Sequence, residues 1–275
     1  MRAKHQVTTK LAIILAVVLC GGIATQGLAA ENPTPGYNNK IPESILTPHD
    51  IETRAGTLKY FDGIPTKETA AALYNHLDYI RGVEAFLNGM PAASLEAIRR
   101  SQVAQGSINS NMVRIFDQLM DSNPLFLTGN TDTVYVSSVI DLKKDGPTVI
   151  EIPPGTGPGT VNDAFFRFVT DTGPPGPDQG KGGKYLILPP DREQLHGEGY
   201  DDYFVSKSPT WTNWFIARGF LKDGKPDYSS KLFREGLKIY PLSQKDNPPP
   251  MEFFNGSGKA FNTCLLYTSD AADDN

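Results

Sequence analysis

Cysteine is almost missing from this chain: among 275 residues it occurs only as Cys20 and Cys264. Both fall in terminal segments that are not expected to belong to the working protein, and what lies between them has no thiol. That excludes disulfides, thiol catalysis and zinc–thiolate sites. Histidine is scarce too. Of the four present, His49, His76 and His196 lie beyond the first segment, and none has a second histidine at metal-motif spacing. No metal and no cofactor is therefore expected. Long apolar runs are absent except at residues 11–19, which is shorter than the roughly 20 residues a membrane span requires. No basic stretch could follow a phosphate backbone, and the formal net charge is −5, so nucleic acid is not an expected partner.

The termini explain where the cysteines sit. Arg2, Lys4 and Lys10 precede the apolar run with no acid among them, which is the charged region and apolar core of a secretory signal. The small residues Ala29 and Ala30 mark the cleavage point. Residues 1–30 are thus expected to be a signal peptide, and the product to be periplasmic or secreted. Leu19 stands before Cys20 where lipid attachment needs a small residue, which disfavours a lipoprotein. At the other end, residues 264–275 look like a conceptual translation of a sequencing adaptor, so the native sequence is expected to run only to about Thr263. Three basic and three acidic residues leave with these ends, and the net charge is unchanged.

The rest reads as α+β and mainly β. Residues 31–63 suggest an extended arm, with a short strand at 57–60 before the Asp62-Gly63 turn. The span 64–122 reads as helical. Thr66 offers an N-cap, Leu73, Leu77, Ile80 and Leu87 recur at helical spacing, and Asn88-Gly89 with Pro91 predicts a stop. A second helix is expected over 91–103 and a shorter one over 112–120. From 123 to 245, short β-rich runs alternate with Gly and Pro clusters, at 125–128, 134–142, 148–152, 165–170, 185–188, 203–206, 211–220 and 238–240. This is the spacing of an antiparallel β-sandwich or barrel, and no helical pattern separates the runs as a parallel α/β fold would need. Asn247-Pro248-Pro249-Pro250 makes 246–263 look like a linker.

Candidate sites follow from polar residues in that frame. The Gly-rich stretch 173–184 fails as a phosphate loop. Pro175 and Asp178 stand where its first glycine should be, and a strand rather than a helix follows. A flexible hairpin connection fits better, and such a loop can cover a binding site. Helical projection puts Glu84 between Ile80 and Leu87 on a buried face, where it must be paired, with Arg81 within reach, or have a raised pKa. The densest polar group is Asn130-Thr131-Asp132-Thr133-Val134-Tyr135. Asn130 and Asp132 can organise a turn, with Thr133 and Tyr135 on one strand face. Alternatively Asp132 serves as acid, base or cation ligand and Tyr135 as hydrogen-bond donor. Trp211 and Trp214, three apart on a strand, face opposite sides. One can stack on a ring of a ligand or pack in the core.

Taken together, residues 41–45, 52–54, 81–91, 129–135 and 208–220 resemble the family called domain of unknown function 1254, with Asn130, Asp132, Thr133 and Tyr135 as the most specific element. The resemblance implies a bacterial, often exported protein of no settled role. It also implies a jelly-roll-like β-sandwich reminiscent of viral capsid folds, and a second domain, number 1214, after the first. That C-terminal domain is expected to be missing from this sequence, and apolar surface meant for it to be exposed.

The expected function is that of an enzyme or ligand-handling protein acting on a small organic molecule. Asp132, Tyr135 and Glu84 are the catalytic candidates, and Asn130, Thr133, Arg167, Trp214 and Arg218 the ligand-binding ones. The competing class is a structural or assembly module that packs as a homo-oligomer without catalysis. No residue pattern names a reaction.

Overall fold

Asp62 and Gly63 both take positive φ, 49° and 80°, the backbone of a two-residue hairpin turn whose twist suits the flanking strands. This turn joins β2 (Gly56–Phe61) to β3 (Ile64–Pro65), and β1 (Asp50–Thr53) pairs with the other edge of β2. The computed structural model describes residues 42–126, 129–192 and 200–261. The expected signal peptide, both cysteines, His196, residues 127–128 of one expected strand and the tail at 264–275 lie outside them. Two compact units divide at Leu77 and Asp78. In the first, a 3-10 turn at Glu43–Ile45 interrupts the expected arm.

Thr66 caps the first helix as its sequence suggests. Its hydroxyl oxygen accepts the Thr69 N–H at 3.2 Å. Helix α1 (Lys67–Ala104) then runs unbroken for 38 residues through Pro91, where a stop and a second helix were expected. Proline removes one hydrogen bond and crowds the preceding turn, at a cost of about 3 kcal/mol. Beyond it, Leu95 and Ile98 bury against Trp214, enough packing to outweigh that local penalty. Between residues 78 and 90 the helix is exposed instead: Ile80, Val83, Phe86 and Leu87 are all open to solvent. Glu84 is exposed as well. The expected buried face is therefore not buried, and Glu84 needs no ion pair with Arg81. An apolar stripe records what a helix can bury, not whether anything covers it.

The expected helix at 112–120 is also corrected. Residues Met112–Ile115 form strand β4, in which Val113 and Ile115 enter the core on one face while Arg114 points to the other. Nine further strands complete two sheets. They are β5 (Thr133–Asp141), β6 (Thr148–Ile152), β7 (Gly159–Asp163), β8 (Phe168–Thr172), β9 (Gly183–Leu188), β10 (Tyr203–Lys207), β11 (Thr212–Phe220), β12 (Lys238–Pro241) and β13 (Glu252–Asn255). One sheet has the order β13-β4-β5-β11-β7-β8 and the other β10-β9-β6-β12. Pairing is antiparallel except at two edges, β13 with β4 and β10 with β9, which are parallel. Val136, Val161 and Phe215 of the larger sheet and Ile150, Tyr185 and Ile239 of the smaller one share a single buried cluster. Short helix α2 (Leu142–Asp145) is capped by the Asp141 carboxylate. Helix α3 (Asp227–Gly236), which the sequence reading missed, adds Phe233 to that cluster.

Two loop expectations change. The stretch expected to be a linker contains β13, whose Phe253 packs on the main core. The Gly-rich segment is not a hairpin, because β8 and β9 belong to different sheets. Asp178, 4% exposed, fastens it. One carboxylate oxygen accepts the Tyr185 hydroxyl at 2.5 Å and the other the Gly182 N–H at 3.1 Å. Among the described residues no helix is long and apolar enough to cross a membrane.

Candidate ligand cleft

Strands β5 and β11 pair without a break from Thr133 opposite Phe220 to Asp141 opposite Thr212. Register places Tyr135 opposite Arg218, and both side chains leave the same face, away from the shared core. The Arg218 guanidinium sits 5.2 Å from the centre of the Tyr135 ring, a cation–π arrangement that holds a charged group still without neutralising it. Arg218 is exposed and forms no ion pair among the described residues.

The polar run before β5 serves this tyrosine. Asn130 donates its N–H to the Tyr135 hydroxyl at 3.3 Å. Its side-chain oxygen accepts the Thr133 hydroxyl at 2.6 Å and the Asp132 N–H at 3.3 Å. This is the turn reading of the motif, in which an Asn side chain organises the backbone two and three residues on. It also fixes Tyr135, which is 2% exposed. Asp132 is exposed, and its side chain meets no partner among the described residues.

Tyr135 and Arg218 line a cleft of about 270 Å³ together with Pro158, Thr160, Asp171 and Pro175. Asp171 and Pro175 come from the end of β8 and the start of the Gly-rich segment, so that segment walls the cleft. Gly159 lies on its floor, where strands approach closely: a Cβ there would stand 2.3 Å from Thr172 Oγ1 and 2.7 Å from Ala217 Cβ. The cleft offers a fixed cation, an aromatic face, apolar proline walls and a carboxylate. The Thr160 hydroxyl donates to the Thr170 carbonyl at 3.3 Å, and Asp171 is its cross-strand partner. The arrangement can bind and orient an anion.

The other expected site residues stand elsewhere. Arg167 is committed to the buried Asp163, whose carboxylate it meets at 2.6 Å, and Asp163 is paired with Asn213. Five residues of β11 separate Asn213 from Arg218, roughly 16 Å at strand rise. Trp214 is 8% exposed, donates Nε1–H to Ser137 Oγ at 2.7 Å and lies between Phe126 and Phe166. It is a core aromatic with no free ring face, whereas Trp211 is exposed. Glu84 lies on the exposed stretch of α1, and Asp132 is not among the residues that line the cleft. Pro158, Thr160, Asp171 and Pro175 were not anticipated. Their only sequence signal was the clustering of Pro and Gly around β7 and after β8. Among the described residues, no three His, Cys, Asp or Glu side chains gather so as to hold a metal ion.

Comparison with known proteins gives a family and no activity. The family described as "Protein of unknown function (DUF1254)" matches residues 110–241, which carry Tyr135, Arg218 and the whole cleft. No curated protein matches the chain. Among solved structures, the VPA0106 protein from Vibrio parahaemolyticus is similar at 14% identity and a TM-score of 0.41, over 59% of this chain and 39% of that one. An uncharacterised protein from Burkholderia cenocepacia is similar at 12% identity and a TM-score of 0.29, over 58% of this chain and 43% of that one. The chain thus spans less than half the length of either protein.

Proposed function

From the cleft in the segment that the DUF1254 family matches, residues 110–241, we propose that the chain binds a small carboxylate-bearing organic molecule between Tyr135 and Arg218. The observation that carries this reading is the unpaired Arg218 guanidinium, held over the Tyr135 ring at the mouth of a cleft with apolar walls. A carboxylate would complete the arginine's hydrogen bonding in two parallel contacts, which is what a guanidinium fork recognises best. Pro158 and Pro175 would pack the body of the ligand, and Asp171 would receive a hydroxyl or amide donor.

The test is calorimetric titration of a panel of small aromatic and aliphatic carboxylates against the intact chain. Arg218→Gln is expected to weaken binding about 10- to 100-fold, the size of a charged hydrogen-bond pair. Asp132→Asn is expected to leave binding unchanged. Equal binding by Arg218→Gln and the parent chain would remove the cleft from the function.

The same reading takes the two sheets as a jelly-roll-like sandwich, supported by the one core they share. It takes the product as exported, supported by the basic and apolar pattern of residues 1–30. A second reading, a self-assembling module without chemistry, is favoured by the apolar face that Tyr79, Ile80, Val83, Phe86 and Leu87 expose on α1. A stable oligomer in light scattering, together with a cleft that binds no carboxylate, would select it.

A further inference from the structure

Resting on the carboxylate reading of the cleft, we infer that its ligand is an ω-amino carboxylate, in which an apolar chain holds an ammonium several carbons away from the carboxylate. Asp171 receives the ammonium while Arg218 holds the other end.

Strand register places the two charges. Asp171 on β8 pairs with Thr160 on β7, and Thr160 with Ile216 on β11. Residues paired in this way stand on one face of the sheet, so Asp171, Thr160 and Ile216 form a row across it. Arg218 lies two residues further along β11, on that same face. Two strand spacings and two residues of rise put the Cα atoms of Arg218 and Asp171 roughly 12 Å apart. Arg218 leans over Tyr135, whose strand β5 lies on the other side of β11 from β7 and β8, so the length of its side chain does not close the gap.

Asp171 is not satisfied by its neighbours either. The Thr160 hydroxyl beside it donates to the Thr170 carbonyl, and the Thr170 hydroxyl to the Asp171 carbonyl rather than to its carboxylate. Among the described residues no ion pair reaches Asp171 or Arg218. Two opposite charges thus line one cleft of about 270 Å³ without meeting. Pro158, whose carbonyl accepts the Arg218 N–H at 2.9 Å, and Ile216, opposite Thr160, line the same cleft with apolar side chains.

A hydrogen bond of about 3 Å at each end leaves roughly 6 Å for the ligand's own charges. A 2-amino acid carries its charges on neighbouring carbons and falls short of that span, whereas an extended chain with the ammonium at its far end covers it. An ammonium also brings Asp171 the opposite charge, which a hydroxyl or an amide does not.

The experiment is calorimetric titration of the intact chain with hexanoate and with its isomeric amino derivatives, 6-aminohexanoate and 2-aminohexanoate. All three carry the carboxylate for Arg218, and only the 6-amino isomer reaches Asp171. That isomer is expected to bind about 10-fold tighter than hexanoate, and the 2-amino isomer no tighter than hexanoate. Asp171→Asn keeps the shape of the side chain and removes its charge, and the advantage of the 6-amino isomer is expected to vanish. It is expected to persist in Asp132→Asn, which removes an equal charge outside the cleft. Hexanoate binding that Arg218→Gln weakens, with no gain from the 6-amino group, overturns the inference and leaves the carboxylate reading standing. Failure of all three ligands to bind overturns both. An equal gain from the 2-amino group, or an advantage that survives in folded Asp171→Asn, overturns the inference as well, because spacing to Asp171 would not be what selects the ligand.

Discussion

Arg114 should be a burden to this fold, and its replacement by methionine should not weaken the protein. The side chain is 1% exposed on β4, and one guanidinium nitrogen donates to the Gln105 carbonyl at 3.2 Å. Its Nε and other terminal nitrogen have no partner among the described residues. Burial lowers its pKa, and no carboxylate opposes the shift. In compensation, the guanidinium lies 5.3 Å from the Phe254 ring centre and 5.7 Å from that of Phe261. Two orphaned donors cost about 1–3 kcal/mol each, and the desolvated charge costs several more. Two desolvated cation–π contacts return about 2 kcal/mol each, and the single hydrogen bond about 2.

Arg114→Met keeps most of the volume against Phe116, Phe254 and Phe261 and removes the charge. Its stability should lie between that of the parent and about 3 kcal/mol above it. Arg114→Ala removes the volume as well and should lose about 2–4 kcal/mol to the cavity it opens. Equilibrium urea unfolding, followed by the fluorescence of Trp211 and Trp214, measures both, and equal slopes would show that the change is in stability alone. If Arg114→Met proved less stable than the parent by more than about 2 kcal/mol while Arg114→Lys held, the guanidinium would have to be meeting an anion, and the reasoning would fail.

Three other outcomes can be checked on the same chain. Glu96 has a depressed pKa, so its ion pairs should stabilise the fold above about pH 4.5 and fade as pH falls towards about 2; its side chain is 40% exposed, so the loss in acid unfolding should be only about 1 kcal/mol, and absent in Glu96→Gln. Burial, and then hydrogen bonding to Asp178 and Glu151, raise the pKa values of Tyr185 and Tyr240. The unfolded chain therefore ionises first, and stability should decline above pH 10 by at most about 1.4 kcal/mol per pH unit per phenol; a Tyr185→Phe, Tyr240→Phe double variant should flatten that limb of the unfolding curve. Gly159→Ala should cost about 1–3 kcal/mol in urea unfolding, since its Cβ would overlap Thr172 and Ala217, and an unchanged midpoint would show that β7 can move aside.

Local signals were read well wherever the backbone itself carries the information. The Asp62-Gly63 turn, the Thr66 cap and the strands around 133–141, 148–152 and 212–220 occur within a residue or two of their expected places. Each depends on φ preference, a hydroxyl or β-branched alternation, none of which needs a distant neighbour. The expected helix at 112–120 failed for a related reason. Met112, Ile115, Phe116 and Leu119 recur at helical spacing, but Val113 and Ile115 gain more by entering the core beside β5 and β13. Strand β13 was hidden behind three prolines, and the parallel edges leave no mark in a single run of residues.

The candidate site divides along the same line. Composition and motif settled that no thiol serves the segment between the terminal cysteines and that 173–184 is no phosphate loop, and they left Asn130 to Tyr135 open between a turn and a site. Tertiary structure alone decided which polar residues meet. Strand register placed Arg218 opposite Tyr135 and carried Arg167 and Trp214 to other surroundings. The fold left Glu84 in solvent and brought Asp171 and Pro175 to the cleft from the loop that leaves β8. Side-chain chemistry is written residue by residue, whereas proximity arises from pairing between segments far apart in sequence, and burial from what happens to pack above them.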